Sequence, residues 1–379
     1  MKKVIQLIST MNVGGAETMV KDYALLMDKE KIDMKIVALS GRYDSTNEVI
    51  LQEAGIPIIF LEEAKYGGRK DLNFFQKIIR KIYRYYYFRK LILEEKPDIL
   101  HIHLRFDKYI KVLPLKKLNL KLVHTVHNEP TRFFDKNGKD RDKYKEFKEA
   151  YRLVHEHNMK LIALHDSMKE ELKELFETTD VVTVNNGIQM EQFQSDLYDR
   201  ESTRKELDVA SDEFLIGHVG RYHIQKNHER IITVFRELLK KQPRAKLLLI
   251  GRGALKENII ARVKEWGIDS KVIFLENRID VPALMNAMDV FFFPSRWEGF
   301  GNVLTEAQSI GLRCVISTAV PKDVQLTDKV IPVDLEETDD VWVDALLDKD
   351  RKGQAIGCLD DYDMKKCAKK LQDIYLGML

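Results

Sequence analysis

Residues 290–307 read VFFFPSRWEGFGNVLTEA. Four apolar residues are followed by a loop with two glycines and then by apolar residues at helical spacing, which predicts a strand, a loop and a helix in that order. A strand that is apolar on both faces is typical of a parallel sheet covered by helices. The stretch therefore indicates an α/β fold in which this loop follows the carboxyl end of a buried strand, where such sheets bind ligands.

The same pattern recurs on both sides of this stretch and predicts two doubly wound parallel sheets. Short apolar runs alternate with helical patterns at residues 4–9, 34–39, 56–61, 99–103, 122–126 and 161–164, and again at 214–219, 246–250, 272–275, 290–293 and 313–317.

The interval between the two sets of strands is polar and follows Asn186-Gly187. We therefore predict an N-terminal Rossmann-like domain over residues 1–195 and a C-terminal one over 196–361. A single helix over 362–379 is expected to close the chain and to pack on the N-terminal domain. The polar segment 129–149 is expected to be a loop.

Composition excludes several classes of protein. Of the 379 residues 44% are hydrophobic and 32% are charged, and the net charge is +2, so neither disorder nor a polyanionic partner such as nucleic acid is indicated. No apolar run approaches the roughly 20 residues that span a bilayer. The N-terminus lacks the apolar core of a signal peptide, and we expect a cytoplasmic protein whose membrane contact, where it exists, is peripheral.

No metal site is expected. The three cysteines are far apart in the sequence, which does not suit a structural metal. The triplets Asp140-Arg141-Asp142 and Asp361-Tyr362-Asp363 do not follow a predicted strand, as the metal-diphosphate site of a transferase would require.

Residues 69–90 combine eight basic residues with many aromatic and aliphatic ones. A helix of this composition is suited to the inner face of an anionic cell membrane. The alternative is a surface helix that packs its aromatic side chains into the first domain.

Three turns at strand ends are candidate anion or sugar sites. Gly14-Gly15 precedes the first helix, Arg221 and Lys226 follow the first strand of the second domain, and Glu298 and Glu306 flank the glycine loop quoted above. Backbone amides at a helix N-terminus, an arginine fork and a lysine ammonium all suit a diphosphate, and carboxylates accept hydrogen bonds from sugar hydroxyls. For each turn the alternative is an ordinary structural turn with solvated charges. The first turn lacks the G-x-G-x-x-G spacing of a dinucleotide site.

With these motifs in place, the chain resembles the retaining glycosyltransferases of family 4, which have the GT-B fold of two Rossmann-like domains facing a central cleft. The resemblance extends from the GGAE turn to the closing helix, and the acids Glu298 and Glu306 at E-x7-E spacing are its most specific element. Enzymes of bacterial exopolysaccharide and capsular polysaccharide biosynthesis are most similar.

The resemblance implies roles for individual residues. In such enzymes the residues matching Arg221 and Lys226 bind the donor diphosphate, the one matching Glu306 holds the ribose, and the one matching Glu298 contacts the donor sugar. His127 matches a histidine beside the transferring sugar, with His101 and His103 as secondary candidates. Further donor contacts are implied at Gly14, Gly15, Gly251, Asn277, Arg278, Phe300, Gly301, Asn302 and Val303, with Arg278 contributing mainly through its backbone.

The function implied is transfer of a hexosyl unit, with retention of configuration, from a nucleoside diphosphate sugar to a carbohydrate hydroxyl. We expect a UDP-sugar donor, a lipid-linked acceptor, and no cofactor or metal, because Arg221 and Lys226 supply the positive charge. Two alternatives remain open: a nucleotide-sugar epimerase of the same shape, and a catalytically silent partner subunit that only binds a nucleotide sugar.

Overall fold

A computed structural model describes residues 1–63, 65, 71–103 and 107–378. The chain divides into two compact units, one formed by Met1–Gly187 with Met364–Leu379 and the other by Ile188–Asp363. The sequence predicted that the chain passes from the first domain to the second after residue 195 and leaves the second domain after residue 361. In the structure the chain enters the second unit between residues 187 and 188 and returns to the first between residues 363 and 364.

The first unit is built on a seven-stranded sheet in which every pairing is parallel. Its strands are β1 (Lys2–Ile8), β2 (Ile32–Ala38), β3 (Ile58–Phe60), β4 (Ile99–His103), β5 (Lys121–Thr125), β6 (Lys160–Ala163) and β7 (Val181–Thr183). Its helices up to this point are α1 (Gly15–Leu26), α2 (Thr46–Glu53), α3 (Phe74–Glu95), α4 (Asp107–Ile110), α5 (Pro130–Phe133), α6 (Arg141–His157) and α7 (Asp166–Phe176).

The strand order β3-β2-β1-β4-β5-β6-β7 places the reversal of winding between β1 and β4. The loops that follow these two strands therefore diverge, which leaves a crevice at the carboxyl edge of the sheet. Gly14 follows β1, and His103 ends β4.

The second unit has a six-stranded, fully parallel sheet. Its elements are α8 (Arg200–Glu206), β8 (Phe214–Val219), α9 (His228–Lys241), β9 (Ala245–Ile250), α10 (Lys256–Glu265), β10 (Val272–Leu275), α11 (Val281–Ala287), β11 (Val290–Phe293), α12 (Asn302–Ser309), β12 (Cys314–Ser317), β13 (Val330–Val333) and α13 (Asp339–Leu347). The order β10-β9-β8-β11-β12-β13 places its reversal between β8 and β11.

The last helix, α14 (Met364–Gly377), returns to the first unit. Its buried face, with Leu371 and Tyr375, lies in the same apolar core as Val4 of β1 and Tyr23 of α1. The first unit therefore takes its core from both ends of the chain.

Two features differ from the prediction. The edge strands β7 and β13 were not predicted, because β7 has only two apolar residues (VVT) and β13 (VIPV) contains Pro332, which argues against a strand. The predicted loop 129–149 is wrong, because α6 begins at Arg141 with an Asp140 side-chain cap and buries Ala150 and Leu153 on one face.

Candidate functional site

The reversal point of the second sheet is bordered by two loops, one after β8 and one after β11. Lys226 lies in the first loop and Glu298 in the second, and the Lys226 Nζ donates to Glu298 Oε1 over 2.7 Å. Their side chains are 14% and 5% exposed, so this ion pair is largely buried. The pair joins two residues that the sequence singled out separately.

Further hydrogen bonds tie the two loops together. The Gln225 Nε2 donates to the Trp297 carbonyl at 3.0 Å and to Glu298 Oε2 at 3.2 Å. The Arg296 amide donates to the Gln225 carbonyl, and the Asn227 side chain donates to the Pro294 carbonyl. The Glu298 carboxylate is thus held at both oxygens and has a defined orientation.

The Lys226 ammonium lies 4.4 Å from the centre of the Phe293 ring, which is a cation–π contact. Its stem passes over Gly220, where an added Cβ would come within 3.2 Å of Lys226 Cγ. Arg221, next in the chain, is exposed and forms no ion pair within the described ranges. Arg296, in the opposite loop, is exposed as well.

Glu306 lies on α12, one turn after the helix begins. Burial raises the pKa of its carboxyl to about 7, and the positive charge of Lys226 partly opposes that rise. The same ammonium therefore acts on both acids of the E-x7-E element.

The N-terminus of α12 closes the second loop. Gly301 is its N-cap and has φ 89°, a left-handed conformation that favours glycine. The first amides of the helix, at Asn302 and Val303, have no acceptor within the helix and form a potential anion site. Phe300 is buried and stacks on Tyr362 at 4.9 Å.

The loop Gly251-Arg252-Gly253 pairs with the loop after β8. The Tyr222 amide donates to the Arg252 carbonyl at 2.9 Å. A Cβ on Gly251 would come within 2.0 Å of the Gly220 carbonyl oxygen, so glycine is needed for this close approach. Asn277 is left-handed with φ 52°, and Arg278 forms ion pairs with Asp280 and Glu206. The Arg278 side chain is thus engaged within the protein.

Several buried polar residues under these loops were not singled out from the sequence. Nδ1 of His218 donates to the Phe292 carbonyl, while its Nε2 has no partner among the described residues. His228 stacks on Tyr222 at 4.1 Å, and burial lowers the pKa of His228 to about 3. A polar residue inside an apolar strand, as at His218 in FLIGHV, is the sequence signal that could have found this cluster.

In the first unit the Gly14-Gly15 turn caps α1, as predicted for a strand-helix turn. Gly14 has extended backbone, and the Glu17 carboxylate lies against it and accepts from the Thr10 hydroxyl at 3.0 Å. Nothing in the described chain lies within 4 Å of the position of a Gly15 Cβ.

His127 follows β5 and is hydrogen bonded through Nε2 to Nδ1 of His103 at 2.8 Å. Burial lowers the pKa of His127 to about 4 and holds that of His103 well below its usual range. The two rings are therefore neutral at physiological pH. His101, on the same face of β4, bonds through Nε2 to the Thr125 hydroxyl at 2.7 Å.

The basic aromatic segment is largely the helix α3. Arg69 and Lys70 lie outside the described residues. Arg80 and Arg84 form ion pairs with Glu62, and Arg89 donates to the Val112 carbonyl. Eight exposed residues lie in the part of the helix from Phe74 to Tyr86 and are named here the α3 surface: Phe74, Phe75, Lys77, Ile78, Ile79, Lys81, Ile82 and Tyr86.

No described helix is both long enough and apolar enough to cross a membrane. Within the described ranges, no three histidine, cysteine or carboxylate side chains are grouped so that they could hold a metal ion.

Comparisons with known proteins match both halves of the chain to glycosyltransferase families. Residues 13–192 match the profile of Glycosyltransferase Family 4, and residues 199–330 match that of Glycosyl transferases group 1. A Bacillus subtilis protein named as glycosyltransferase EpsF is 28% identical over 91% of this chain and 87% of its own length. The Escherichia coli UDP-Gal:alpha-D-GlcNAc-diphosphoundecaprenol alpha-1,3-galactosyltransferase is 25% identical over 76% of this chain and 78% of its own.

The solved structures confirm the predicted fold. Anabaena HepE, crystallised with UDP and glucose, superimposes with a TM-score of 0.70 at 16% identity and covers all of this chain and 95% of its own. Two parallel-sheet units with profile matches in both halves leave one conclusion: the chain is a glycosyltransferase with the GT-B fold and belongs to the enzymes that combine a family 4 domain with a group 1 domain.

Proposed function

We propose that this enzyme transfers a hexosyl unit from a UDP-sugar to a hydroxyl of a lipid-linked carbohydrate, with retention of configuration, during assembly of a cell-surface polysaccharide. The observation that carries the proposal is the position of Lys226 at the reversal point of the second sheet. Its ammonium pairs with Glu298 and acts on Glu306, and Arg221 and the N-terminus of α12 border the same loops.

The charges suit a departing diphosphate. As the bond between the anomeric carbon and the diphosphate breaks, negative charge grows on the phosphate oxygens, and fixed cations and amides lower the barrier where that charge develops. Arg221 is exposed and free of ion pairs in the described part of the chain, so its guanidinium is available to a phosphate. We propose that Arg221 and Lys226 take the place that a divalent cation has in other transferases.

The two acids have different roles in this proposal. Glu298 is held at both oxygens by Lys226 and Gln225, and we assign it to the donor sugar. Glu306 is partly buried with a raised pKa, and we assign it to the ribose hydroxyls, whose hydrogen bonds favour the ionised carboxylate.

For the chemical step we propose attack on the face from which the diphosphate leaves. The acceptor oxygen forms a bond to the anomeric carbon while the carbon–oxygen bond to the diphosphate breaks. The proton of the acceptor hydroxyl passes to the departing phosphate oxygen. Retention and this proton transfer are supported by the family resemblance.

The nature of the substrates is supported by the relatives. The Escherichia coli relative is named for a UDP-Gal donor and for an acceptor on diphosphoundecaprenol, a lipid. The α3 surface, with five exposed apolar residues and two exposed lysines along one helix, supports contact with the anionic membrane that would hold such an acceptor.

The experiment is a panel of UDP-, GDP- and ADP-sugars scored for nucleotide release in the full-length enzyme, in the presence and absence of EDTA. Slow hydrolysis of one UDP-sugar, unaffected by EDTA, is expected. Analysis of the sugar product separates transfer or hydrolysis from epimerisation. Release confined to GDP- or ADP-sugars would contradict the donor assignment.

The phosphate role of Arg221 is tested by titration with UDP. Arg221→Ala is expected to weaken UDP about tenfold to a hundredfold, because a charge-assisted hydrogen bond is lost. Arg351→Ala removes an exposed arginine from a distant loop of the same unit and is the control. Equal affinity of both variants for UDP would remove Arg221 from the site.

A further inference from the structure

Five polar side chains form a continuous hydrogen-bonded chain through the core of the first unit. Nε2 of Gln6 lies 2.9 Å from the Tyr375 hydroxyl, and Oε1 of the same amide contacts Nε2 of His103. His103 then bonds to His127. On the other side, the Tyr375 hydroxyl contacts Nδ1 of His101.

These hydrogen-bonded side chains lie in the core of the first unit, where the fold favours apolar residues. Gln6 pairs in register with His101 on the neighbouring strand, and both lie on the sheet face that α14 covers. Gln6, His101 and Tyr375 are fully buried. Because buried polar groups stabilise a core only when every member is bonded, a role beyond packing is the simplest reason for their presence.

The donors and acceptors along the chain can be assigned one by one. The Gln6 carbonyl oxygen can only accept, so Nε2 of His103 carries a proton. The His103 ring is neutral, so its Nδ1 has a lone pair and accepts from Nε2–H of His127. The His127 ring is neutral too, so its Nδ1 is a bare acceptor. Within the described ranges, that Nδ1 has no hydrogen-bond partner.

We propose that Tyr375, Gln6 and His103 are positioning residues that hold His127 with its proton on Nε2, so that Nδ1 is presented as a hydrogen-bond acceptor to a hydroxyl of the donor sugar. The proposal rests on the proposed function and on the resemblance of His127 to a family histidine beside the transferring sugar. Tyr375 acts at the far end, where its hydroxyl accepts from Nε2 of Gln6. Met34 Sδ, which can only accept, lies 3.9 Å from the same Nε2, so the two contacts together favour the amide orientation that turns Oε1 toward His103.

The first test is independent of activity. In full-length enzyme labelled with ¹⁵N-histidine, ring nitrogen spectra at neutral pH are expected to show His127 as a single tautomer with the proton on Nε2. In Gln6→Met, which is similar in size but has no amide, a mixture of tautomers is expected. A proton on Nδ1 of His127 in the wild type, or an unchanged spectrum in Gln6→Met, would overturn the proposal.

The second test separates positioning from packing. Tyr375→Phe keeps the ring and removes the hydroxyl, and we expect kcat for donor turnover to fall about tenfold with KM for the donor within about twofold. In a His127→Ala background, Tyr375→Phe should have no further effect on kcat, because the chain acts only through His127. Equal losses in both backgrounds would mean general destabilisation and would overturn the proposal.

The matched control is Tyr23→Phe. Tyr23 is buried in the same core on α1, and its hydroxyl makes no hydrogen bond in the part of the chain that the structure describes. Full activity of Tyr23→Phe is expected. If no donor is turned over by the wild type, the proposed function fails, while the nitrogen spectra still decide whether the chain of residues fixes His127.

Discussion

Among single residues, Lys226 and Glu298 form the ion pair that joins the two loops of the candidate site. Both side chains are largely shielded from water, and an ion pair in such a place is costly to form and still more costly to break on one side only. The stability of the enzyme without donor should therefore depend on the two residues together rather than on each alone.

We predict that Lys226→Met lowers the free energy of unfolding by about 3 kcal/mol, because it leaves the Glu298 carboxylate buried with Gln225 as its only described side-chain donor. Lys226→Met with Glu298→Leu should recover most of that loss. Urea unfolding of the wild type, both single variants and the double variant gives the four free energies of a double-mutant cycle. A double variant as unstable as the sum of the single ones would contradict the coupling.

Glu306 gives a prediction about pH. Burial raises its pKa from 4.5 to about 7, so between these values the folded enzyme binds more protons at this site than the unfolded chain does. The free energy of unfolding should therefore fall as pH rises from about 5 to 8. The side chain in Glu306→Gln stays neutral, so the free energy of unfolding of this variant should depend less on pH. Urea unfolding of the wild type and the variant at several pH values gives the contribution of this carboxyl as the difference between them. Identical pH dependence in both would contradict the raised pKa.

The sequence identified these residues by position but not by contact. Residues after β8 and β11 could be expected at one sheet edge, because carboxyl ends of neighbouring parallel strands meet there. The 2.7 Å pairing of Lys226 with Glu298 depends on side-chain conformations that Gly220 and Gln225 allow, and no spacing rule gives them. Gln6 is a polar residue inside an apolar strand, a signal of the same kind as His218, but its partner Tyr375 lies far away in the sequence and no local pattern indicates their contact.

At the scale of elements, α12 is the clearest link between backbone and site. Its N-cap, Gly301, and the residue after its C-cap, Gly311, are both left-handed, with φ 89° and 80°, and neither has a close steric neighbour at the Cβ position. The two ends of one helix thus have nearly the same backbone strain, and only one end is in the proposed site.

We predict that Gly301→Ala and Gly311→Ala each lower the free energy of unfolding by about 1–2 kcal/mol, the cost of a left-handed alanine. Only Gly301→Ala should also weaken UDP, since it shifts the amides of Asn302 and Val303. Calorimetric titration with UDP and urea unfolding give the two quantities. Equal UDP affinity in the two variants would remove the α12 N-terminus from the site.

The α3 surface gives the second prediction at this scale. Phe75→Asp with Ile82→Asp replaces exposed apolar residues, 74% and 63% exposed, so the fold should tolerate both changes. Binding to vesicles of phosphatidylglycerol and phosphatidylcholine is expected to fall at least about tenfold, while hydrolysis of soluble donor is unchanged. Leu197→Asp, at an exposed apolar residue of the second unit, is the control. Equal vesicle binding of both variants would contradict a membrane role for α3.

Secondary structure was most predictable where elements are long or fully apolar. β11 is a run of Val290 and three phenylalanines, and its burial on both faces was correctly inferred. The edge strand β7 buries only part of three residues, and α6 has few apolar residues between its many charges, so neither gave a recognisable pattern. For α3, the sequence did not indicate which arginines form ion pairs or hydrogen bonds with other residues of the protein.

For the whole molecule, the decisive property is that each unit has its own parallel sheet and its own apolar core. The second unit is continuous in the chain from Ile188 to Asp363, whereas the first needs α14 to complete its core. The alternation of strands and helices predicted two domains, since each doubly wound sheet repeats one local pattern. The exact crossing points could not be read from that pattern, because short polar turns separate elements within a domain as well as between domains.

This division leads to a prediction about truncation. Ending the chain after Asp363 removes Leu371 and Tyr375 from the core of the first unit and leaves their apolar partners exposed to water. We expect the first unit to unfold at assay temperature and transfer to be lost. UDP affinity should stay within about tenfold, because Arg221, Lys226, Glu306 and the α12 amides all belong to the second unit. Scanning calorimetry and UDP titration of the truncated chain measure both properties, with Lys370→Ala, an exposed change on α14, as the control. Loss of UDP binding together with the first unit would show that the nucleotide site is not confined to the second.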